Sequence, residues 1–314
     1  MKLHGILDAD SLIIRAGAVC QHNYEVEDSD GKSLGHYKSQ KDFFKRNPEV
    51  DPESVTFNHS PKLTGDLKLG RKILTNTINK IYYESDVDKM TIVVQGSYNF
   101  RNSMAVTQPY KGNRITPKPI LHRDISESLI EYGFGKHKVM QSEFIETDDY
   151  LSVCGWSSYN KAKKTRDKNK SEIVLMHIDK DIDQVPGWHY NYDRPEDGVF
   201  WLDSFQSALS FWRQTLTGDS IDNIPGIIVT EGLKEHYSYL KLGRGIGKTS
   251  ADKILCGIKS EKDMVNQVVH VYKYSFGDEW YIRLEEVCRL LYLLRKPNDL
   301  FILGNVLEEL KIEY

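Results

Sequence analysis

Aspartate and glutamate occur in tight clusters along this 314-residue chain: Asp8 and Asp10; Glu146, Asp148 and Asp149; Asp179 and Asp181; Asp219 and Asp222. Carboxylates gathered in one half-buried place repel each other, and they share it only when cations lie among them. Ligand sets made of oxygen alone select hard ions such as Mg²⁺ or Mn²⁺. The chemistry this predicts is metal-assisted hydrolysis of a phosphodiester. Two ions roughly 4 Å apart would activate a water and neutralise both flanking oxygens. A single Asp pair is more often a helix cap or a solvated loop. The expectation rests on the ordered set.

Such a set needs a frame to hold it. Residues 3–7 (Leu-His-Gly-Ile-Leu) predict a short buried strand ending at Asp8, followed by a helix over 11–19 that Ser11 could cap. Residues 21–62 are polar and turn-rich, with Asp30-Gly31 as a hairpin tip, and form an insertion. Leu69, Ile73, Ile78 and Ile81 fall at helical spacing within 66–86, and Met90 to Val94 is a second buried strand. Residues 98–119 mix aromatic, basic, Gly and Pro residues as a loop or loose helix. A helix over 120–132, a strand over 137–145, a helix from Glu146 and a strand from Ile173 to Ile178 follow, with a charged loop at 161–171. From about residue 205 the chain turns helical, and its end breaks at Pro297. Alternating strands and helices imply a parallel sheet, whose ligands bind at the carboxyl ends of the strands. Every acidic cluster but the last falls at such an end.

The net charge of −3 does not exclude a nucleic-acid partner, because an acidic metal site offsets a basic groove on the same molecule. Basic residues are unevenly spread: residues 161–170 are strongly basic, as are Lys111, Arg114, Lys118, His122 and Arg123. The four cysteines, Cys20, Cys154, Cys256 and Cys288, form no C-x-x-C pair and are expected to be reduced thiols. No stretch is apolar enough to span a membrane and the first residues are unlike a signal peptide, so a cytoplasmic protein is expected.

One stretch carries a resemblance. Thr-Gly-Asp-Ser-Ile-Asp-Asn-Ile-Pro-Gly-Ile starts at Thr217, and Gly-Ile-Gly-Lys-Thr-Ser-Ala-Asp-Lys-Ile-Leu starts at Gly245. Together they resemble the second metal cluster and helix–turn–helix element of the flap-endonuclease/5′→3′-exonuclease family, which includes phage 5′-exonucleases and the 5′-nuclease domain of bacterial DNA polymerase I. Four further blocks resemble that family in its own order: Ile6-Leu7-Asp8; Phe100-Arg101 with Tyr110-Lys111-Gly112-Asn113-Arg114; Glu146-Thr147-Asp148-Asp149; and Asp179-Lys180-Asp181. Any one block is a weak signal, whereas five in order, from about residue 3 to residue 257, are a strong one.

The resemblance implies an α/β, PIN-like/5′-nuclease fold. A central, mostly parallel sheet would carry helices on both faces, and a C-terminal helical region would hold a helix–turn–helix DNA-binding element. It implies a nuclease core over 1–204, containing the 21–62 insertion and an arch at about 98–119, and a helical region over 205–314. It implies two Mg²⁺ ions, with Mn²⁺ able to substitute. Asp8, Glu146, Asp148 and Asp149 would hold the first, and Asp179, Asp181, Asp219 and Asp222 the second. Asp179 and Asp181, two apart, would share a face of an extended strand end, and Asp219 and Asp222, three apart, one face of a helical turn. Lys111 and Arg114 would act in catalysis by reaching from the arch to the scissile phosphate. DNA would be bound by Arg101 through backbone phosphate, by Tyr110 through base stacking, and by Gly245, Gly247, Lys248 and Thr249, with K⁺ at the helix–turn–helix element. The partner would be duplex DNA with a 5′ end, nick or flap, or an RNA–DNA hybrid, met by a monomer.

Two departures stand out. The family carries an aspartate after the second strand, where this chain has Gln95. Asp10 is an extra acid two residues beyond Asp8, and on an extended strand it would face the same way and replace the lost charge. Residues 227–243 separate two elements that the family joins directly, which puts the DNA grip in question. Asp183 is read as a solvated turn residue, His177 as a satisfied interior histidine, and Phe205, Phe211 and Trp212 as core.

Overall fold

The computed structural model describes residues 2–313, so Met1 and Tyr314, the outer limits of the two expected units, lie outside the described residues. A six-stranded sheet forms the centre. Its strands are β1 (His4–Asp8), β5 (Lys89–Gln95), β6 (Lys138–Ser142), β7 (Ile173–His177), β8 (Gly187–Asn191) and β9 (Val199–Leu202). They run in the order β6-β5-β1-β7-β8-β9. All neighbours are parallel except β8 and β9.

The sheet is covered on both faces, and the side-chain alternation of its strands shows it. Leu7, Ile92, Val94, Val174 and Met176 point to one core with the helices Asp10–Val19, Leu67–Glu84 and His122–Tyr132. Ile6, Val93 and Leu175 point to the opposite core, against the helix Thr147–Thr165. That two-sided burial explains why these strands read as unbroken apolar runs. A third core lies within the helices Ser204–Thr217, Glu231–His236, Lys248–Ile254, Glu261–Phe276, Trp280–Leu291 and Leu303–Glu309. It also takes in Tyr110. The 21–62 insertion is a three-stranded antiparallel sheet of β2 (Gln21–Asp28), β3 (Ser33–Tyr37) and β4 (Val55–Leu63), with Asp30-Gly31 at its hairpin.

Several local expectations are corrected. The helix after β1 is preceded by Ala9, with no side-chain cap, while the Ser11 hydroxyl lies 2.6 Å from the Tyr192 hydroxyl. The basic run is not all loop, since the helix from Thr147 continues to Thr165. β8 and β9 carry no separate signal in the apolar pattern, because their buried members include His189 and Tyr190 rather than an aliphatic run.

Candidate functional site

The parallel register sets the carboxyl ends of β5, β1 and β7 side by side. Asp8 closes β1, Gln95 closes β5, Glu146 precedes the helix Thr147–Thr165, and Asp179 follows β7 by two residues. The sheet thus delivers the first three acidic clusters to one edge. The fourth comes from the turn after the helix Ser204–Thr217. Gly218 permits that turn with φ +64, and a Cβ there would lie 2.4 Å from the Gly226 amide nitrogen.

Asp148 lies at the centre of the edge. Burial, then Asp179, Asp8, Glu146 and Asp181, push its carboxyl well above the ordinary range. Asp8 is pushed up to about 7 by burial, against the opposing hydrogen bond from the Asp10 amide, with the charges of Asp10 and Asp179 adding to the rise. Asp181 is pushed up to about 7 by burial, Asp179 and Asp219. Burial also raises Asp179, helped by Asp222 and Asp219. Carboxylates that raise one another in this way are short of positive charge, and an all-oxygen donor set with that shortage fits a hard divalent ion.

The segment 98–119 brings cations to the same edge. Lys111 pairs with Glu146 and lies 3.5 Å from Asp222, and Arg114 pairs with Asp222. Lys111 is held at φ 55, an uncommon left-handed conformation for a side chain of that size, with its amide donating to the Asp222 carbonyl at 2.8 Å. Glu286, a buried carboxylate on the helix Trp280–Leu291, anchors the segment by accepting the amides of Val106 (2.7 Å) and Thr107 (2.6 Å) and the Thr107 hydroxyl. Tyr110 does not present a stacking face. It is 7% exposed, and its hydroxyl donates to Glu146 and Asp222, 2.9 Å each. Its ring belongs to the C-terminal core, so its expected role as a base platform is corrected.

Arg101 is likewise corrected as a phosphate contact. Its side chain is 1% exposed and lies behind the edge. It donates to Asp149 at 2.6 and 2.8 Å, to Glu146 at 3.2 Å, and to the carbonyls of Leu290 (3.0 Å) and Tyr292 (2.6 Å). Asp149 is fully enclosed, and it also accepts the amides of Glu146 and Leu294, 3.1 Å each. Its oxygens are committed to these donors, which removes it from the expected first ligand set. The node ties the start of the helix Thr147–Thr165 to the C-terminal helices.

Asp179, Asp181, Asp219 and Asp222 meet, though not by the expected geometry. β7 ends at His177, and Asp179 caps a short 3₁₀ turn over Lys180–Gln184 instead of ending a strand. Asp219 and Asp222 do not lie on a helix. Asp219 closes a turn by pairing with Ile224, and its Oδ1 accepts the amides of Ile221 (2.8 Å) and Asp222 (3.2 Å). The two side chains part: Asp222 goes to Tyr110 and Lys111, and Asp219 to Lys180 at 2.9 Å. Burial would raise Asp219, but Lys180 together with the amides of Asp222 and Ile221 outweighs it and holds the carboxyl below its usual value. Gln214 donates to Asp181 at 2.8 Å and to Asp219 at 3.3 Å.

The two departures at the first cluster also resolve. Gln95 offers no free oxygen, because its Oε1 accepts the Thr147 amide (2.9 Å) and hydroxyl (3.0 Å) at the start of the helix. Asp10 does not continue β1. It opens the next helix, 3.5 Å from His122 and 3.8 Å from Lys118. Burial would raise its carboxyl, but His122 and Lys118 outweigh burial and hold it low. The premise that Asp10 shares a strand face with Asp8 is therefore corrected.

His177, Asp183 and His189 bring donor atoms within 4.8 Å of one another, the one such trio among the described residues. The histidines are already occupied. Their facing nitrogens lie 2.9 Å apart, and their outer nitrogens reach the carbonyls of Asp179 and Val185, 2.7 Å each. His177 is thus an interior histidine as expected rather than a free ligand, and burial pushes it down to about 4. Asp183 is not simply solvated, since burial pushes it up to about 6 against Arg213 and Lys248.

The 227–243 insertion leaves and rejoins the chain at one place. Ile246 donates to Ile227, Val229 to Arg244, and Gly243 to Val229, each at 2.9 Å. Leu233, Tyr237 and Leu240 bury in the C-terminal core. Gly245 and Gly247 therefore still precede the helix Lys248–Ile254. A Cβ on Gly247 would meet nothing, and one on Gly245 only Ile228 at 4.0 Å. Lys248 and Thr249 are exposed beside them. Motif spacing gave no signal for Gln214, five residues before Asp219, or for Glu286. Lys180 had one, being the residue between the two acids of Asp179-Lys180-Asp181.

Fold and edge together define an α/β protein with an acid-rich, lysine-bridged site at the carboxyl ends of a parallel sheet. No protein-family model matches the chain, and no curated protein matches its sequence. Among solved structures, it is similar to the bacteriophage T5 5′-exonuclease with zinc bound, at 11% identity and a TM-score of 0.46, covering 93% of this chain and 100% of that one. It is similar also to a bacteriophage T5 flap endonuclease in a pseudo-enzyme–product complex with DNA and metal ions, at 10% identity and a TM-score of 0.42, covering 70% of this chain and 90% of that one. No helix among the described residues is long and apolar enough to cross a membrane.

Proposed function

We propose that the protein is a metal-dependent 5′→3′ exonuclease or flap endonuclease. Its substrate would be duplex, nicked or flapped DNA, or an RNA–DNA hybrid, cut near the 5′ end. The role that fits is primer removal, repair or recombination during replication, in the host cytoplasm if the chain is phage-encoded. The observation that carries the reading is the meeting of Asp8, Glu146, Asp148, Asp179, Asp181, Asp219 and Asp222 at one sheet edge with Lys111 and Arg114. The five family-like blocks that supply these residues support it.

Asp8, Glu146 and Asp148 would hold one Mg²⁺, and Asp179, Asp181 and Asp219 the other, with Asp222 near both groups. Bound there, such ions would supply an activated water and offset charge on the phosphate oxygens. Lys111 and Arg114 would offset charge building on the phosphate as the bond breaks. Gln214 and Lys180 orient the second group, and the Arg101–Asp149 node holds Glu146 from behind. Gly245, Gly247, Lys248 and Thr249 would meet duplex backbone, with K⁺ as a candidate ion there.

The test is to incubate the full chain with 5′-labelled nicked, flapped and hybrid duplexes in Mg²⁺, in Mn²⁺ and in EDTA. Short 5′ products that need the metal support the reading. Tight binding without cleavage in either metal would instead identify a nucleic-acid-binding protein that lacks turnover, as the missing acid at Gln95 would suggest.

A further inference from the structure

Beside the acidic edge lies a second polar recess, a cavity of about 160 Å³. Three separate segments send a cation to it: Lys180 from the turn after Asp179, Arg213 from the helix Ser204–Thr217, and Lys248 from the start of the helix Lys248–Ile254. Ser210 and Thr217 add hydroxyls and Asp183 a carboxylate, while Arg213 also reaches Asp252 at 3.4 Å and Lys180 reaches Asp219 at 2.9 Å. Ser210, Arg213, Gln214 and Thr217 are spaced i, i+3, i+4 and i+7, so a single face of the helix lines the recess. The opposite face, with Phe211, Trp212 and Leu216, is buried in the C-terminal core. A polar stripe with no place in that core, turned to a recess where three cations and two hydroxyls converge, offers donors to an anion, though Arg213 is shared with Asp252 and Lys180 with Asp219.

The recess touches the edge directly. Gln214 lines it and donates to Asp181 and Asp219, while Lys180 lines it and pairs with Asp219. No aromatic ring lines it, so it offers nothing for a base to stack on. Hydroxyls and fixed cations without base-reading groups recognise backbone.

We propose that this recess seats one backbone phosphate of the nucleic acid next to the acidic edge, with Arg213 and Ser210 as its principal contacts. The proposal rests on the nuclease reading and extends it to Arg213 and Ser210, which lie outside every family-like block. Asp183 and Asp252 oppose the phosphate, so they set a ceiling on affinity.

The experiment is fluorescence-anisotropy titration of the full chain with a flapped DNA duplex in EDTA, repeated across salt concentrations. The variants are Arg213→Gln, Arg213→Lys, Ser210→Glu and Asp183→Asn. Arg213→Gln should raise Kd about tenfold, the loss of one charge-assisted contact. It should also lower the slope of log K against log salt by about one. Arg213→Lys should restore most of that slope, Ser210→Glu should weaken binding at least as much, and Asp183→Asn should tighten it. If the wild type binds and cleaves while Arg213→Gln and Ser210→Glu match it in Kd and slope, the recess is not a phosphate seat and the nuclease reading survives. A wild type that neither binds nor cleaves the duplex overturns both.

Discussion

Asp148 and Asp149 are consecutive residues in one helical turn, and their surroundings are opposite. The charges that act most on Asp148 are negative, from Asp179, Asp8 and Glu146. Asp149 is fully enclosed, gripped at both oxygens by Arg101. Helical spacing forces the difference, because adjacent residues point about 100° apart. One therefore looks out over the sheet edge while the other looks back into the protein. A cluster of acids in a motif is thus two objects here: an edge whose charges are unrelieved, and a closed ion pair that holds the edge in position.

The largest expected effect comes from breaking the closed pair. Arg101→Ala or Asp149→Ala leaves a buried, uncompensated charge and should cost about 3–5 kcal/mol in chemical denaturation. An unchanged midpoint would remove the structural role assigned to the node. Arg101→Lys should fall between, because an ammonium cannot supply the planar fork that Asp149 and the two carbonyls occupy.

The open edge should behave in the reverse way. Raising pH should weaken the fold through Asp8 and Asp181, whose carboxyls rise from 3.8 to about 7 on folding. A group raised on folding gives its full stabilisation below pH ~4, and that contribution is lost as pH rises through ~7. Thermal melts in EDTA should therefore show falling Tm over this range, and Mg²⁺ should restore stability most above pH ~7. A Tm that climbs steadily from pH 5 to 8 in EDTA would contradict the unrelieved charge at the edge.

Smaller effects are expected at the two departures. Gln95→Ala removes the acceptor for Thr147 and should cost about 1 kcal/mol, as lost helix caps do. Asp10→Ala breaks long contacts to Lys118 and His122 and should shift the Mg²⁺ midpoint for cleavage by less than about fivefold. A loss of activity at limiting Mg²⁺ as deep as that of Asp148→Asn would return Asp10 to the ligand set.

The sheet was legible because β1, β5 and β7 are buried on both faces and so appear as apolar runs, β1 ending at Asp8 and β7 two residues before Asp179. β8 was not, since its interior positions are filled by the polar rings of His189 and Tyr190, whose hydrogen-bond partners, His177, Val185 and Glu84, give no apolar pattern. The positions of the acids were legible from spacing, while the destinations of Arg101 and Tyr110 were not. Both residues read as exposed members of a basic loop. Their burial depends on Leu290, Tyr292 and Asp222, which lie 112 to 191 residues further on. The turn at Asp219–Asp222 was misread as helical because a three-residue spacing suits either form, and the Gly218–Gly226 contact decides between them. Gln214 and Glu286 belong to no motif, and only packing shows what they hold.

The most direct test of the division between edge and node is Asp148→Asn, assayed for Mg²⁺-dependent cleavage of a 5′-labelled flapped duplex alongside a thermal melt at pH 8. The substitution removes one of the mutually repelling charges without changing shape. Cleavage should fall by about 10²–10³, the scale of losing one group aligned with the reacting centre, while Tm stays level or rises. Cleavage at the wild-type rate, or a collapse of Tm like that expected for Asp149→Ala, would contradict the account.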